Sequence, residues 1–167
     1  MNVVPIAALF HNVRSTHNVG ALFRTCDGAG VSKIYLSGYT PTPFDRFGRE
    51  RKDISKTALG AEKNVVWEYT KSPHTIIRRL RKEKWEIVGV EQDERAIDYQ
   101  AFTPSKPTLF VFGNEVRGLS AALRTQCDRL VEIPMKGKKE SLNVSVAAGI
   151  ILFSAGGGST SGRRPNN

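Results

Sequence analysis

Apolar residues in this chain come in short runs, separated by polar stretches whose apolar positions recur at helical spacing. Runs rich in Val, Ile, Leu and Phe read as strands at residues 4–10, 33–36, 64–69, 85–91, 108–112 and 129–133. Helical patterns fall between them at 18–29, 73–84, 120–127 and 142–154. Such alternation predicts an α/β fold, a mainly parallel sheet with helices on both faces. No internal repeat is visible.

Three of the strand-to-helix junctions share a grammar. LFVFGNEVRGLS (residues 109–120) runs from an apolar strand into a small, polar and acidic turn. RLVEIPMKGKKE (129–140) leads into SLNVSVAAGIILFS (141–154), and HNVRSTHNVGALFRTCDGAG (11–30) follows the first apolar run. Ligands of open α/β sheets sit at such strand ends, so three Gly-, Asn- and Ser-rich loops on one rigid sheet predict a cofactor site.

Each junction also has a plain structural explanation. Asn18 caps the helix that carries Gly20 and Arg24 in this reading, with Asn12, Arg14, Ser15 and His17 just before it clustering donors near an anion-attracting helix end; otherwise Asn18 only caps and Arg24 only makes a surface ion pair. Gly113 and Gly118 permit tight turns. Glu115 either orients a cationic group or completes the first turn of its own helix, where acidic side chains are favoured. Lys136, Lys138 and Lys139 precede Ser141, Asn143 and Ser145, yet neither the phosphate loop GxxxxGK[ST] nor the dinucleotide fingerprint GxGxxG occurs, which removes support for nucleoside-triphosphate and nicotinamide chemistry.

Composition narrows the picture. At 167 residues the chain reads as one domain, and no apolar run approaches a membrane span. The first ten residues lack a basic n-region and a cleavage site, so they read as a strand of a cytosolic protein. Cys26 and Cys127 lie far apart and read as buried thiols; with His11, His17 and His74 they form no metal pattern. A net charge of +9 points to a polyanionic partner. Basic residues crowd 73–84, either as an RNA contact or as a solvated face. Residues 37–61, with Pro41 and Pro43, read as one long functional or mobile loop, and 155–167 as a disordered Gly/Ser-rich tail outside the fold.

Together the junctions resemble the three signature motifs of the SPOUT methyltransferases, in the SpoU or TrmH-like branch of RNA ribose 2′-O-methyltransferases: NVRSTHNVGALFRTCDGAGV, LFVFGNEVRGLS and IPMKGKKESLNVSVAAGIILF, in order, over residues 4–154. The resemblance implies a domain over residues 1–154 with a C-terminal trefoil knot. It implies S-adenosylmethionine held by Phe112, Gly113, Asn114, Glu115, Gly118, Ile133, Met135, Ser141, Leu142 and Asn143. The family's catalytic positions fall on Asn18, Arg24, Glu115, Ser141 and Asn143, with no metal. Arg24 stands where the family places a general base, or else it binds the target phosphate.

The resemblance further implies a homodimer whose site is completed by the partner's first motif, and the apolar helix 142–153 agrees with a covered face. The expected activity is methyl transfer to a ribose 2′-hydroxyl of tRNA or rRNA, with tRNA favoured. RNA contacts would come from residues 44–56, 73–84 and 136–139. Two other readings stand beside it: a non-catalytic RNA-binding protein that keeps the knotted fold, and a base-nitrogen methyltransferase.

Overall fold

In the computed structural model, which describes residues 3–156, seven strands form one sheet in which every pairing is parallel. The strands are β1 (Ile6–His11), β2 (Lys33–Ser37), β3 (Trp67–Thr70), β4 (Glu86–Val90), β5 (Ile97–Asp98), β6 (Thr108–Phe112) and β7 (Arg129–Glu132). Their order is β3-β2-β1-β6-β4-β7-β5. From β1 the chain moves outward to β2 and β3, crosses to β4 and β5, then inserts β6 between β1 and β4 and β7 between β4 and β5. Phe10 lies level with Phe112, Gly89 with Val111 and Val90 with Val131, so the carboxyl ends of β1, β6, β4 and β7 stand side by side.

Both sheet faces are buried, and alternation along each strand sorts side chains between two cores. Ile6, Ala8, Phe10, Phe110 and Phe112 meet α1 (Thr16–Ala29), α2 (Lys52–Ala58), α3 (Ala61–Asn64) and α6 (Val144–Gly156) on one face. Ala7, Leu9, Tyr35, Leu109 and Val111 meet α4 (Pro73–Lys82) and α5 (Ala121–Gln126) on the other. This is the expected α/β architecture, with helices on both faces.

The structure departs from the sequence reading in places. Residues 37–61 are not one irregular loop, because α2 lies inside them and α3 begins at their end. In KDISKTA only Ile54 and Ala58 are buried, so the apolar signal is two residues one turn apart. What holds α2 is tertiary: it passes so close to α1 at Gly20 that a Cβ there would fall on Thr57 Oγ1 and the Ile54 carbonyl. The two-residue β5 was missed, having both residues exposed.

Asn18 is not the cap of α1. Ser15 is, its Oγ accepting from Asn18 N at 3.2 Å. Helix α6 starts at Val144 rather than 142, with the Asn143 side chain accepting from Ser145 N at 2.9 Å, and it runs through Ala155 to Gly156. The rest of the expected tail, 157–167, lies outside the described residues. Cys26 is buried as expected and its thiol is pushed well up by burial. Cys127 is only half-buried, though burial still pushes it up to about 12.

Candidate functional site

Glu115 joins two loops a hundred residues apart. Its carboxylate accepts from Arg14 N at 3.0 and 3.2 Å, from Ser15 N at 3.3 Å and from Asn18 Nδ2 at 3.4 Å. It therefore sits at the amino end of α1, where a carboxylate is stabilised by free N–H groups and the helix dipole. Its own helix begins only at Ala121, so it does not complete that first turn.

Burial pushes the Glu115 carboxyl up, but N–H donors from its own backbone, Arg14, Ser15 and Asn18 outweigh this and hold it below the usual value near 4.5. A depressed carboxyl contributes stability at neutral pH that is lost as pH falls through its folded value. Below about pH 5 the protein should thus lose stability more steeply than Glu115→Gln in urea titrations. Parallel curves would show that these donors do not favour the charged form.

The third junction reaches the same point. Asn143 Nδ2 donates to Asn18 Oδ1 at 3.2 Å, so Glu115, Asn18 and Asn143 form a relay across all three loops. Asn114 ties the second loop to the sheet end: its Nδ2 donates to Asn12 O at 3.0 Å and Tyr39 Oη at 2.9 Å, and its Oδ1 accepts from Val116 N and Arg117 N.

Beside this relay a cleft of about 180 Å³ opens at the carboxyl ends of β4, β6 and β7. Phe112, Gly113, Asn114, Glu115, Gly118, Ile133, Met135, Ser141 and Leu142 line it; of the expected cofactor residues, Asn143 alone turns away, toward Asn18. The glycines make the wall. A Cβ on Gly113 would lie 2.4 Å from the Gly118 carbonyl carbon and oxygen, and Gly118 itself has φ +63°.

Glu91, Gln92 and Glu132 also line the cleft, and sequence reasoning did not single them out. Glu91 accepts from Leu119 N at 2.7 Å and Gln92 Nε2 donates to Ile133 O at 2.9 Å, so this dipeptide clasps both cleft-lining loops. A signal existed: Glu91 closes the apolar run 85–91, a strand end like the other three.

Arg24 stands apart. Six residues after Asn18, it lies about 240° round α1, is exposed, and its side chain has no hydrogen bond or ion pair among the described residues. Near it the apolar helix α6 crosses α1, with Phe153 against Gly28 and Thr25 against Gly149. In α4, Arg79 pairs with Glu68 and Arg81 with Asp128, leaving Arg78 and Lys82 exposed.

The profile of the SpoU rRNA Methylase family matches residues 5–153. The chain belongs to this family. Among relatives of this SpoU protein, the tRNA (guanosine(18)-2′-O)-methyltransferase of Aquifex aeolicus is 33% identical over 144 residues, covering 86% of this chain and 65% of that one. The 23S rRNA (guanosine-2′-O-)-methyltransferase RlmB of Salmonella typhi is 35% identical over 151 residues, 90% and 59% of the two. The chain thus spans about three-fifths of these relatives' length.

Solved structures agree on the fold. The SpoU methyltransferase AviRb of Streptomyces viridochromogenes, in complex with AdoMet, superposes with TM-score 0.82 at 27% identity over 93% of this chain and 61% of that one. An AdoMet-bound rRNA methyltransferase of Sinorhizobium meliloti gives 0.83 at 28%, over 92% and 56%.

Proposed function

We propose that this SpoU protein is an RNA methyltransferase that uses S-adenosylmethionine to methylate a ribose 2′-hydroxyl of tRNA or rRNA. The observation that carries the reading is the relay Glu115–Asn18–Asn143 at the rim of a cleft built by the second and third motifs. Relatives 33% and 35% identical to this chain are named for this reaction on tRNA and on rRNA.

The cleft fits the cofactor. Val90, Ile133, Leu142 and Val144 offer apolar walls for a flat base, Gly113 and Gly118 bring backbone close, and Glu91 and Glu132 suit a cation. When bound, the cofactor supplies a methyl group on a sulfonium that leaves as a neutral thioether. The Glu91 clasp sets the affinity: Glu91→Ala leaves the Leu119 N–H without its acceptor and should weaken S-adenosylmethionine binding about tenfold in calorimetry. Unchanged affinity would mean the loop holds itself.

The oxygens of Glu115 are committed to N–H donors and its carboxyl is held ionised, which suits positioning rather than proton transfer. Ser141, on the cleft wall, would help to hold the cofactor. Arg24 acts as a fixed cation on the target phosphate, since a guanidinium stays protonated in proteins.

We further infer a homodimer. Helix α6 is apolar all round, yet leaves Val146 49% and Phe153 55% exposed beside α1. A second copy on that face would cover them and carry Arg24 into the partner's site. We also read residues 1–154 as one domain whose third motif threads the loop after β6 as a trefoil knot, which agrees with β7 lying inside the sheet and α6 returning to α1. No helix among the described residues is long and apolar enough to cross a membrane, and the reading places the protein with its RNA in the cytoplasm.

Purified protein incubated with methyl-labelled S-adenosylmethionine and unmodified tRNA or rRNA should put label into a 2′-O-methylated nucleoside. Label in a base-methylated nucleoside would move the assignment to base nitrogen. Failure to bind the cofactor would leave an RNA-binding protein.

A further inference from the structure

Exposed aromatic rings gather along one edge of the molecule, beginning at the site. Tyr39 is 58% exposed, Tyr69 45% and Phe47 66%. Tyr39 lies just beyond β2, Tyr69 within β3 and Phe47 in the loop before α2, and hydrogen bonds show that the two tyrosines adjoin. Asn114 of the second motif donates to Tyr39 Oη, Tyr39 N donates to Asn12 Oδ1 at 3.1 Å, and Tyr69 Oη donates to Gly38 O at 2.8 Å.

From Tyr69 the row continues outward. Trp67, two residues back on the same strand face, stacks on Phe44 at 6.5 Å and 21°. Phe44 pairs with Glu50 across a turn that Asp45 closes by accepting from Phe47 N, Arg49 N and Arg49 Nε. Phe47 stands at its tip, with the guanidinium groups of Arg46 and Arg49 4.7 and 4.9 Å from the ring centre. The exposed Arg14 and Lys71 flank the inner end.

We propose that Tyr39, Tyr69 and Phe47 form a stacking platform for unpaired bases of the RNA beside the nucleotide that enters the site. The inference rests on RNA being the substrate and adds that the bound segment is single-stranded. Tyr39 and Tyr69 are held by their hydroxyls and Phe47 by the two guanidinium groups beside its ring, so little rotamer freedom is lost when a base stacks on them. A duplex buries its base faces and presents only phosphates and groove edges, whereas an unpaired strand offers one π-face per nucleotide. The adjoining arginines and Lys71 supply phosphate contacts, and the net charge of +9 has the matching sign.

The test uses the full chain and three fluorescent probes of about ten nucleotides: single-stranded RNA, the same strand with abasic sites, and a duplex, read by anisotropy at fixed salt. The base-bearing strand should bind about a hundredfold tighter than the abasic strand, which carries the same charge. Phe47→Ala and Tyr69→Leu should each cut that ratio about fivefold, while Tyr69→Phe, which keeps the ring, retains it. Arg46→Ala should weaken both strands alike and lower the salt slope by about one.

Cofactor affinity should stay constant in these variants, since neither ring lines the cleft. Equal binding of abasic and base-bearing strands, equal binding of the duplex, no binding of any probe, or a ratio indifferent to ring removal would each overturn the platform. The two readings fail separately. A protein that stacks single strands but transfers no methyl sinks the catalytic assignment alone, and one that methylates RNA without base preference sinks only this one.

Discussion

Arg24→Ala is expected to lower methyl transfer by about 10²- to 10³-fold while leaving S-adenosylmethionine affinity unchanged. The basis is geometric. Arg24 is exposed, unpaired among the described residues and turned away from the cleft, so its removal disturbs neither the wall nor the relay of Glu115, Asn18 and Asn143. Single-turnover transfer and calorimetry on the same preparation give the two numbers. Arg24→Lys separates the two roles considered for this residue. A fixed cation keeps the shape of the pH–rate profile with lysine in place, whereas a general base would move its limb toward the lower pKa of an amine. Mixed dimers of Arg24→Ala with a cleft variant add a test of the shared site, because one composite site regains both halves. Retained full activity in Arg24→Ala would remove this residue from the mechanism.

Gly113→Ala is expected to weaken cofactor binding by about 10²-fold with only a modest change in Tm. The added methyl would fall 2.4 Å from the carbonyl of Gly118 and 2.7 Å from Leu119 N, and these are backbone atoms that cannot swing aside. Relief requires opening the bridge in which Gly118 N donates to Asn114 O at 2.9 Å and Asn114 N to Gly118 O at 3.3 Å. That movement shifts the wall of the cleft and Asn114 together. Gly137→Ala is the control: it lies in the third junction, has open space around it, and should bind cofactor as the parent does. Equal loss in both variants would mean that loop flexibility, not shape, sets affinity.

Much of the fold was legible because its signals are local. Strands β1 and β6 are buried on both faces and so appear as unbroken apolar runs. The loops that follow them carry the Gly, Asn and Ser that tight turns demand, which pointed to a site at the strand ends, while the individual residues lining the cleft came from the resemblance to the family. The long helices α1 and α4 also show their period, while α6 is legible only as an unbroken apolar stretch. Helix α2 did not, since two apolar residues in a charged heptad carry almost no periodic signal and its place depends on the missing Cβ of Gly20.

The sequence by itself determined the layers, the parallel sheet and the three loops that meet at the cleft, because turn composition and side-chain period act over a few residues. Only the tertiary structure decided which partners those loops find. Ser15, Thr16 and Asn18 are all residues that cap helices, and the choice fell on Ser15 while Asn18 was drawn inward between Glu115 and Asn143. Glu91 became a clasp because β6 and β7 were inserted on either side of β4. Arg24 was left in solvent by the helical phase that buries Asn18 and Leu22. Each outcome turns on contacts between residues far apart in the chain, whose energies no local pattern records.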